Sequence, residues 1–305
     1  MTERRELTNP ARRGDIRPDF PAVKIYRPDD EENARRLLDV LTAELAKEGE
    51  TLDTVGHITI AYPHKHPEIF PDHVNRAQHH VEQFIAVMQD VAPQVIWKTA
   101  DAICETKKLQ RSKDQSSVHA LTQKQEYAIH EASQRDALPF LEKGGGKSFF
   151  VIVDDAVLQG TTVVNLMNYI EHNGGKVLMV SARESDDGVP IAPRRGMQSK
   201  FGAGYPDRIT EMAEAFSASA KSEGHDWSPA QCLSMFEAAL EKHGVTVRSL
   251  ADGECVRLID TVKGQNLRED KGPAVSFTGI LGQLAAAAPA ARLQSAPAAP
   301  AFPKM

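Results

Sequence analysis

The chain has 305 residues, a net charge of -6, 41% apolar residues and 26% charged residues. This composition is typical of a globular protein with one main domain, and the acidic balance argues against general nucleic-acid binding, which needs a basic surface. Three cysteines without CxxC spacing suggest neither a disulfide framework nor a zinc ribbon. No segment approaches the roughly 18 apolar residues of a membrane span, and the charged N-terminus predicts a cytoplasmic protein.

Residues 1–20 mix charge, proline and glycine without a periodic pattern, which predicts a flexible arm. Helices and strands then alternate along the chain. Before residue 148 we expect a helix over 29–49, a strand over 55–61, a helix over 74–88, a strand over 94–97 and a helix through Tyr127, Ile129 and Ala132. A polar, lysine-rich segment over 105–125 precedes the last of these helices.

The most informative segment is the sequence FFVIVDDAVLQGTT, from Phe149 to Thr162. It predicts a buried strand that ends in two adjacent acids, followed by a short loop and a helix. The next elements are a helix through Val163 and Ile170 and a strand over 176–181. Repetition of strand, helix and strand predicts an α/β fold with a parallel sheet flanked by helices.

Ligands of open parallel sheets bind at the carboxyl ends of the strands, where this segment places Asp154 and Asp155. Two adjacent carboxylates suit a pair of ribose hydroxyls, and a glycine-containing loop at a helix N-terminus suits a phosphate. A ribose 5-phosphate carries both groups. The alternative is an Asp pair that only caps the following helix.

The same residues resemble the binding motif of the type I phosphoribosyltransferases. In that family the motif binds phosphoribosyl pyrophosphate, so the resemblance implies that Asp154 and Asp155 hold the ribose hydroxyls, with Mg2+ bound through the ligand or water. It also implies that the next loop wraps the 5-phosphate. The loop residues are Val157, Leu158, Gln159, Gly160, Thr161 and Thr162. The family usually has small or hydroxyl residues where this chain has Leu158 and Gln159.

Members of this family also have a pyrophosphate-binding loop after an earlier strand. Tyr62, Pro63, His64 and Lys65 lie at that place in this chain. The Tyr62-Pro63 bond is a candidate cis peptide, because proline lowers the cost of the cis form, and Lys65 is expected to face the pyrophosphate. The alternative is an ordinary proline-bounded turn.

The lysine-rich segment resembles the mobile loop that brings basic residues over the active site in this family. Lys107, Lys108 and Arg111 are its candidate ligand-binding residues. We expect Arg111 to be the catalytic member, because a guanidinium group can hold a phosphate in bidentate geometry. The alternative is a run of solvated charges.

The layout of residues 57–135 is similar to the competence-associated branch of the family. The residues in comparable places are Asn75, Arg76, Gln78, Gln115 and Arg135. For recognition of the base, Phe20, Tyr26 or the segment 200–205 is expected to supply a stacking aromatic ring. The alternative is that these rings only pack against the rest of the protein.

The sequence therefore predicts four regions. They are a flexible arm over 1–20, a phosphoribosyltransferase-like domain over 21–190, a small helical C-terminal extension over 191–270 and a disordered Ala/Pro-rich tail over 271–305. A homodimer is compatible with the sequence, and neither a membrane nor nucleic acid is an expected partner of the enzyme.

The predicted function is transfer of ribose 5-phosphate from phosphoribosyl pyrophosphate to a base, or from a nucleotide to pyrophosphate, with Mg2+. The first alternative is a non-catalytic regulatory or nucleic-acid-associated module that keeps the fold as a ligand sensor. Leu158 and Gln159 favour that alternative. A hydrolase that cleaves the same ligand with water is a further alternative.

Overall fold

The computed structural model describes residues 7–17, 20–25, 31–71, 77–101, 103–106, 117–122, 125–129, 147–154, 160–183, 205–264 and 275–287. The strands are β1 (Ala22–Ile25), β2 (His57–Ala61), β3 (Ile96–Thr99), β4 (Ile103–Glu105), β5 (Tyr127–Ile129), β6 (Ser148–Asp154) and β7 (Gly175–Arg183). The helices are α1 (Glu31–Lys47), α2 (Ala77–Val91), α3 (Ser117–Thr122), α4 (Thr161–His172), α5 (Tyr205–Ser222), α6 (Pro229–Glu241), α7 (Asp252–Lys263) and α8 (Phe277–Ala286).

The main sheet has five parallel strands in the order β1-β7-β6-β2-β3. The side chains of β6 alternate between two apolar cores, because successive residues of a strand point to opposite faces of the sheet. Phe149, Val151 and Val153 pack with α1 and α2, whereas Phe150 and Ile152 pack with α4. Both faces of the sheet are covered, which is why the sequence of β6 is an uninterrupted apolar run. The predicted α/β class is confirmed.

Helices α1 and α2 form the layer on one face of the sheet. Their apolar residues recur at helical spacing and are buried in one cluster. The buried residues of this layer are Leu37, Leu41, Leu45, Val81, Phe84 and Met88. The leucine pattern therefore predicted α1 and its buried face correctly.

Helices α3 and α5–α8 share a third apolar core, which includes the rings of Phe216, Phe236 and Phe277. Ser228 caps α6 by accepting a hydrogen bond from the backbone N–H of Gln231, and a proline occupies the first turn. The predicted helical C-terminal extension is confirmed by these helices. None of the described helices combines the length and apolar character that crossing a bilayer requires.

Two predictions about local structure are wrong. Tyr127 and Ile129 belong to β5, not to a helix, and this strand pairs antiparallel with β4. The region predicted to be a disordered tail contains α8, whose Phe277, Ile280 and Leu284 are buried in the third core. Composition alone misjudged this region because the three apolar residues of α8 lie at helical spacing directly before the Ala/Pro-rich end.

The described part of the expected flexible arm is packed, so the prediction of flexibility is wrong for residues 7–17. Ile16 is buried in the core beside α4, and the Arg13 N–H donates to the Gly244 carbonyl at 2.9 Å. Phe20 is buried in the same core, so its ring is not available to stack on a base. Tyr26 and residues 200–204 lie outside the described residues.

Truncation of Phe277 tests whether α8 is part of the folded structure. Its ring stacks on Phe216 with 4.7 Å between centroids. We expect Phe277→Ala to lower the free energy of unfolding by about 3–5 kcal/mol in chemical denaturation, because it opens a cavity in the third core. Gly282→Ala is the control, since a Cβ there meets nothing within 4 Å and alanine stabilises a helix by up to about 1 kcal/mol. Unchanged stability in Phe277→Ala would show that α8 does not pack.

Candidate functional site

The first predicted ribose-binding acid lies at the carboxyl end of β6, inside the sheet. Asp154 is the last residue of this strand, and 8% of its surface is exposed. The strand pairs in parallel with β2 on one side and with β7 on the other. Asp155, Val157, Leu158 and Gln159 lie outside the described residues, so their roles stay predictions.

The described chain resumes at Gly160, whose backbone is left-handed with φ of 81°. Glycine suits this position because a residue with a Cβ is strained in that conformation. The N–H groups of the first turn of a helix have no intrahelical acceptor. Gly160, which precedes α4, has no side chain with which to cap them. Such N–H groups at the positive end of a helix dipole form the kind of site that binds a phosphate.

The two predicted binding loops follow neighbouring strands. From β2 the chain continues outward to β3, and from β6 it continues in the opposite direction to β7. The strand order therefore reverses between β2 and β6. Ligands of open α/β sheets bind in the crevice at the carboxyl ends of strands at such a switch point. The loop after β2 begins with Tyr62, and the loop after β6 includes Gly160.

Tyr62 and His64 lie in the loop after β2 and are held by Asp101. The Tyr62 hydroxyl donates to Asp101 Oδ1 at 2.7 Å, and His64 Nε2 is 2.7 Å from the Asp101 carbonyl oxygen. The His64 ring stacks on the Tyr62 ring with 4.7 Å between centroids. Burial, together with the hydrogen bond to Asp101, raises the pKa of Tyr62. No cis peptide bond occurs among the described residues, so the Tyr62-Pro63 bond is trans.

Lys65, the expected pyrophosphate ligand, pairs with a carboxylate of the protein. Its Nζ lies 3.3 Å from Glu105 Oε2 and 4.5 Å from the centre of the Phe70 ring. Burial raises the pKa of Glu105, and the charge of Lys65 partly opposes this shift. Because Glu105 ends β4, the ion pair ties the loop after β2 to the start of the lysine-rich segment. Lys107, Lys108 and Arg111 lie outside the described residues.

A polar group beside the phosphate loop was not predicted from the sequence. The Tyr127 hydroxyl lies 3.3 Å from the Thr162 carbonyl oxygen, and Gln125 Nε2 donates to Thr162 Oγ1 at 3.4 Å. Burial, followed by the charges of Glu105 and Asp154, raises the pKa of Tyr127. The sequence contains no signal for these contacts, because they join residues more than 30 positions apart along the chain.

Thr161 is held by the helical extension. Its hydroxyl donates to Glu254 Oε1 at 2.7 Å, and Glu254 forms a buried ion pair with Arg13 at 3.0 Å. A residue expected to bind phosphate therefore donates its hydrogen bond to a carboxylate. Sequence reasoning missed Glu254 because it lies far from the motif along the chain.

Within the described ranges, no group of three or more His, Cys, Asp or Glu side chains could hold a metal ion. Cys104 Sγ lies 3.0 Å from His64 Nε2, but burial and the charge of Asp101 raise the pKa of this thiol to about 12. This shift favours the protonated form of the Cys104 thiol at neutral pH. The carboxylate of Asp154 is a hard oxygen donor, the chemical type that Mg2+ prefers.

No protein-family model and no curated protein sequence matches the chain. Among solved structures, crystal structures of adenine phosphoribosyltransferase from Leishmania donovani are similar to it at 11% sequence identity and a TM-score of 0.28. The match covers 57% of this chain and 63% of that enzyme, so the chain spans less than two thirds of its length. A similarity this weak gives no information on activity. The assignment to the α/β class is based on the parallel sheet and its flanking helices.

Replacement of Lys65 tests its ion pair with Glu105. We expect Lys65→Met to raise the pKa of Glu105 further, because the lysine charge is the main opposing influence. A carboxyl group whose pKa is raised by folding destabilises the fold as the pH rises through that pKa. Lys65→Met should therefore cost about 1–3 kcal/mol of unfolding free energy at pH 7 and less at pH 4.

Denaturation at both pH values and carboxyl NMR titration of Glu105 measure these effects. The control is Lys221→Met, because Lys221 is exposed and lies 4.0 Å from an exposed Asp226. It should change stability by less than about 0.5 kcal/mol at either pH. Equal losses at the two pH values in Lys65→Met would contradict the assignment.

Proposed function

We propose that the protein binds phosphoribosyl pyrophosphate at the carboxyl ends of β2 and β6 and transfers its ribose 5-phosphate to or from a nitrogenous base. The observation that carries the proposal is the position of the two loops. Segments with the residue types expected for pyrophosphate and for ribose 5-phosphate follow adjacent parallel strands at the point where the strand order reverses.

The proposed ribose and phosphate contacts lie along one loop. Asp154 and Asp155 accept hydrogen bonds from the ribose hydroxyls. The N–H groups from Gly160 to Thr162, together with the dipole of α4, hold the 5-phosphate. Val157, Leu158 and Gln159 complete this loop.

The proposed pyrophosphate contacts come from two other segments. Tyr62, Pro63, His64 and Lys65 follow β2, and Lys107, Lys108 and Arg111 lie between β4 and β5. To bind the pyrophosphate, Lys65 must leave its ion pair with Glu105 or contact both anions at once. Mg2+ would be held by the ligand oxygens and by Asp154 and Asp155, directly or through water, and it would neutralise charge on the pyrophosphate.

The proposed reaction breaks the bond between the anomeric carbon and pyrophosphate, and the electron pair leaves with pyrophosphate. The ribose ring gains positive charge in the transition state, which the nearby carboxylates stabilise. A ring nitrogen of the base then donates its lone pair to the anomeric carbon and loses its proton to solvent. Fixed positions of ribose and base supply much of the remaining rate acceleration.

A non-catalytic ligand sensor is the second candidate. The hydrogen bond from Thr161 to Glu254 favours it, since it leaves one hydroxyl fewer to fix the position of the phosphate, on which catalysis depends. Leu158 and Gln159, which replace small or hydroxyl residues of the family motif, favour it as well.

Calorimetric titration of the full chain with phosphoribosyl pyrophosphate and Mg2+, followed by a pyrophosphate-release assay with a panel of bases, separates these candidates. Base-dependent release supports the transferase. Binding without release on any base supports the sensor, and release without a base indicates a hydrolase. Failure to bind the ligand would contradict the proposed function.

Replacement of Asp155 tests the ribose contact. We expect Asp155→Asn to weaken phosphoribosyl pyrophosphate binding by about tenfold or more and to remove most activity, because the amide is a weaker acceptor and carries no charge. Circular dichroism should be unchanged. Asp90→Asn, at an exposed position of α2, is the control and should bind as the unmodified protein does. Identical kinetics in Asp155→Asn and the unmodified protein would refute the role.

A further inference from the structure

Glu254 joins three parts of the chain at the phosphate end of the candidate site. It lies in the first turn of α7, and 3% of its surface is exposed. Arg13 comes from the N-terminal segment, and Thr161 is the first residue of α4. Both of these residues donate hydrogen bonds to the Glu254 carboxylate.

The contacts of the carboxylate are divided evenly between its oxygens. Oε1 accepts from Arg13 Nη1 at 3.2 Å and from the Thr161 hydroxyl at 2.7 Å. Oε2 accepts from Arg13 Nη2 at 3.0 Å and from the Ala251 N–H at 2.7 Å. Since the Thr161 hydroxyl has one hydrogen, it cannot donate to Glu254 and to a phosphate oxygen at the same time.

The Thr162 hydroxyl, unlike that of Thr161, acts as an acceptor in its described hydrogen bond. It accepts from Gln125 Nε2 at 3.4 Å, so its own hydrogen is not used in that contact. Of two adjacent threonines at the start of α4, one therefore has its hydrogen committed to the helical extension. The extension reaches the phosphate loop through this bond.

We propose that Glu254 is a positioning residue that withholds the Thr161 hydroxyl from the phosphate, so that the helical extension sets the affinity of the site for a phosphorylated sugar. This inference rests on the proposed function. A phosphate gains the Thr161 hydroxyl only when Glu254 releases it. The ion pair with Arg13 keeps the carboxylate in place, so release requires the Thr161 hydroxyl to turn its hydrogen away from Glu254 Oε1, or α7 or the N-terminal segment to move.

The substitution Glu254→Gln separates the proposal from a purely structural role. The backbone N–H of Ala251 and the Arg13 guanidinium can only donate, whereas the Thr161 hydroxyl can donate or accept. The single oxygen of the introduced amide should therefore face Ala251 and Arg13 Nη2, and the amide nitrogen should donate to Thr161, while Arg13 Nη1 loses its acceptor. The Thr161 hydrogen then becomes available to a phosphate.

The test is calorimetric titration of the full chain with ribose 5-phosphate and with inorganic phosphate. We expect Glu254→Gln to bind ribose 5-phosphate about tenfold more tightly, the size of one hydrogen bond to a charged group. Adding Thr161→Ala to this variant should cancel the gain, because the two residues act through one bond. Glu254→Asp keeps the charge but is too short to reach the Thr161 hydroxyl, so it should also bind ribose 5-phosphate more tightly. This variant replaces Glu254→Gln in the test if Glu254→Gln does not fold.

The matched control is Asp252→Asn. Asp252 is a buried carboxylate in the same turn of α7 that pairs with Arg208 at 2.9 Å, far along the chain from the phosphate loop. It should lower thermal stability without changing the affinity for ribose 5-phosphate. Equal or weaker binding by Glu254→Gln, or the same gain in Asp252→Asn, would overturn the proposal. If neither the variants nor the unmodified protein bind either ligand, the proposed function itself fails.

Discussion

The parallel pairing of β2 with β6 is the constraint on which the candidate site depends. The pairing places Ile60 beside Val151 and Ala61 beside Ile152, so both strands end at the same edge of the sheet. Apolar cores cover both faces of these strands and leave the edge as the place where polar groups collect. A shift of one residue in register would exchange side chains between the two cores and would move the end of β6 relative to β2, so close packing on both faces specifies the pairing.

Two of the described residues that are expected to bind an anionic ligand are already partnered inside the protein. Glu105 holds Lys65 on the β2 side of the site, and Glu254 holds Thr161 on the β6 side. Each carboxylate belongs to an element outside the central sheet, either the β4–β5 pair or the helical extension. A ligand that binds at this edge therefore competes with these elements, and the affinity depends on how easily they give up their contacts.

Much of the central sheet is predictable from the sequence because its signals are local. The leucines of α1 and the apolar run before Asp154 report burial directly through their spacing. Other elements depend on contacts with residues that are distant along the chain. Strands β4 and β5 are three residues each and exist through pairing with each other, and α8 is stabilised by Phe216, which lies far along the chain. Tertiary contacts therefore decided their structure.

The candidate site also contains both residues that a local motif predicts and residues that only the tertiary fold brings together. The positions of Asp154 at the end of β6 and of Gly160 before α4 were predictable because one continuous segment contains both residues. Arg13, Glu105, Tyr127 and Glu254 were not, because each reaches the site from a distant segment through the tertiary fold. Such residues have no motif of their own, and their roles become visible only through the distances between side chains.

A crystal structure of the full chain with phosphoribosyl pyrophosphate and Mg2+ tests the central claim most directly. The account predicts the 5-phosphate at hydrogen-bond distance, about 2.7–3.2 Å, from the N–H groups of residues 160–162, and the ribose hydroxyls on Asp154 and Asp155. Ligand density at any other surface of the protein, or acids that point into the core while the ligand stays unbound, would contradict it.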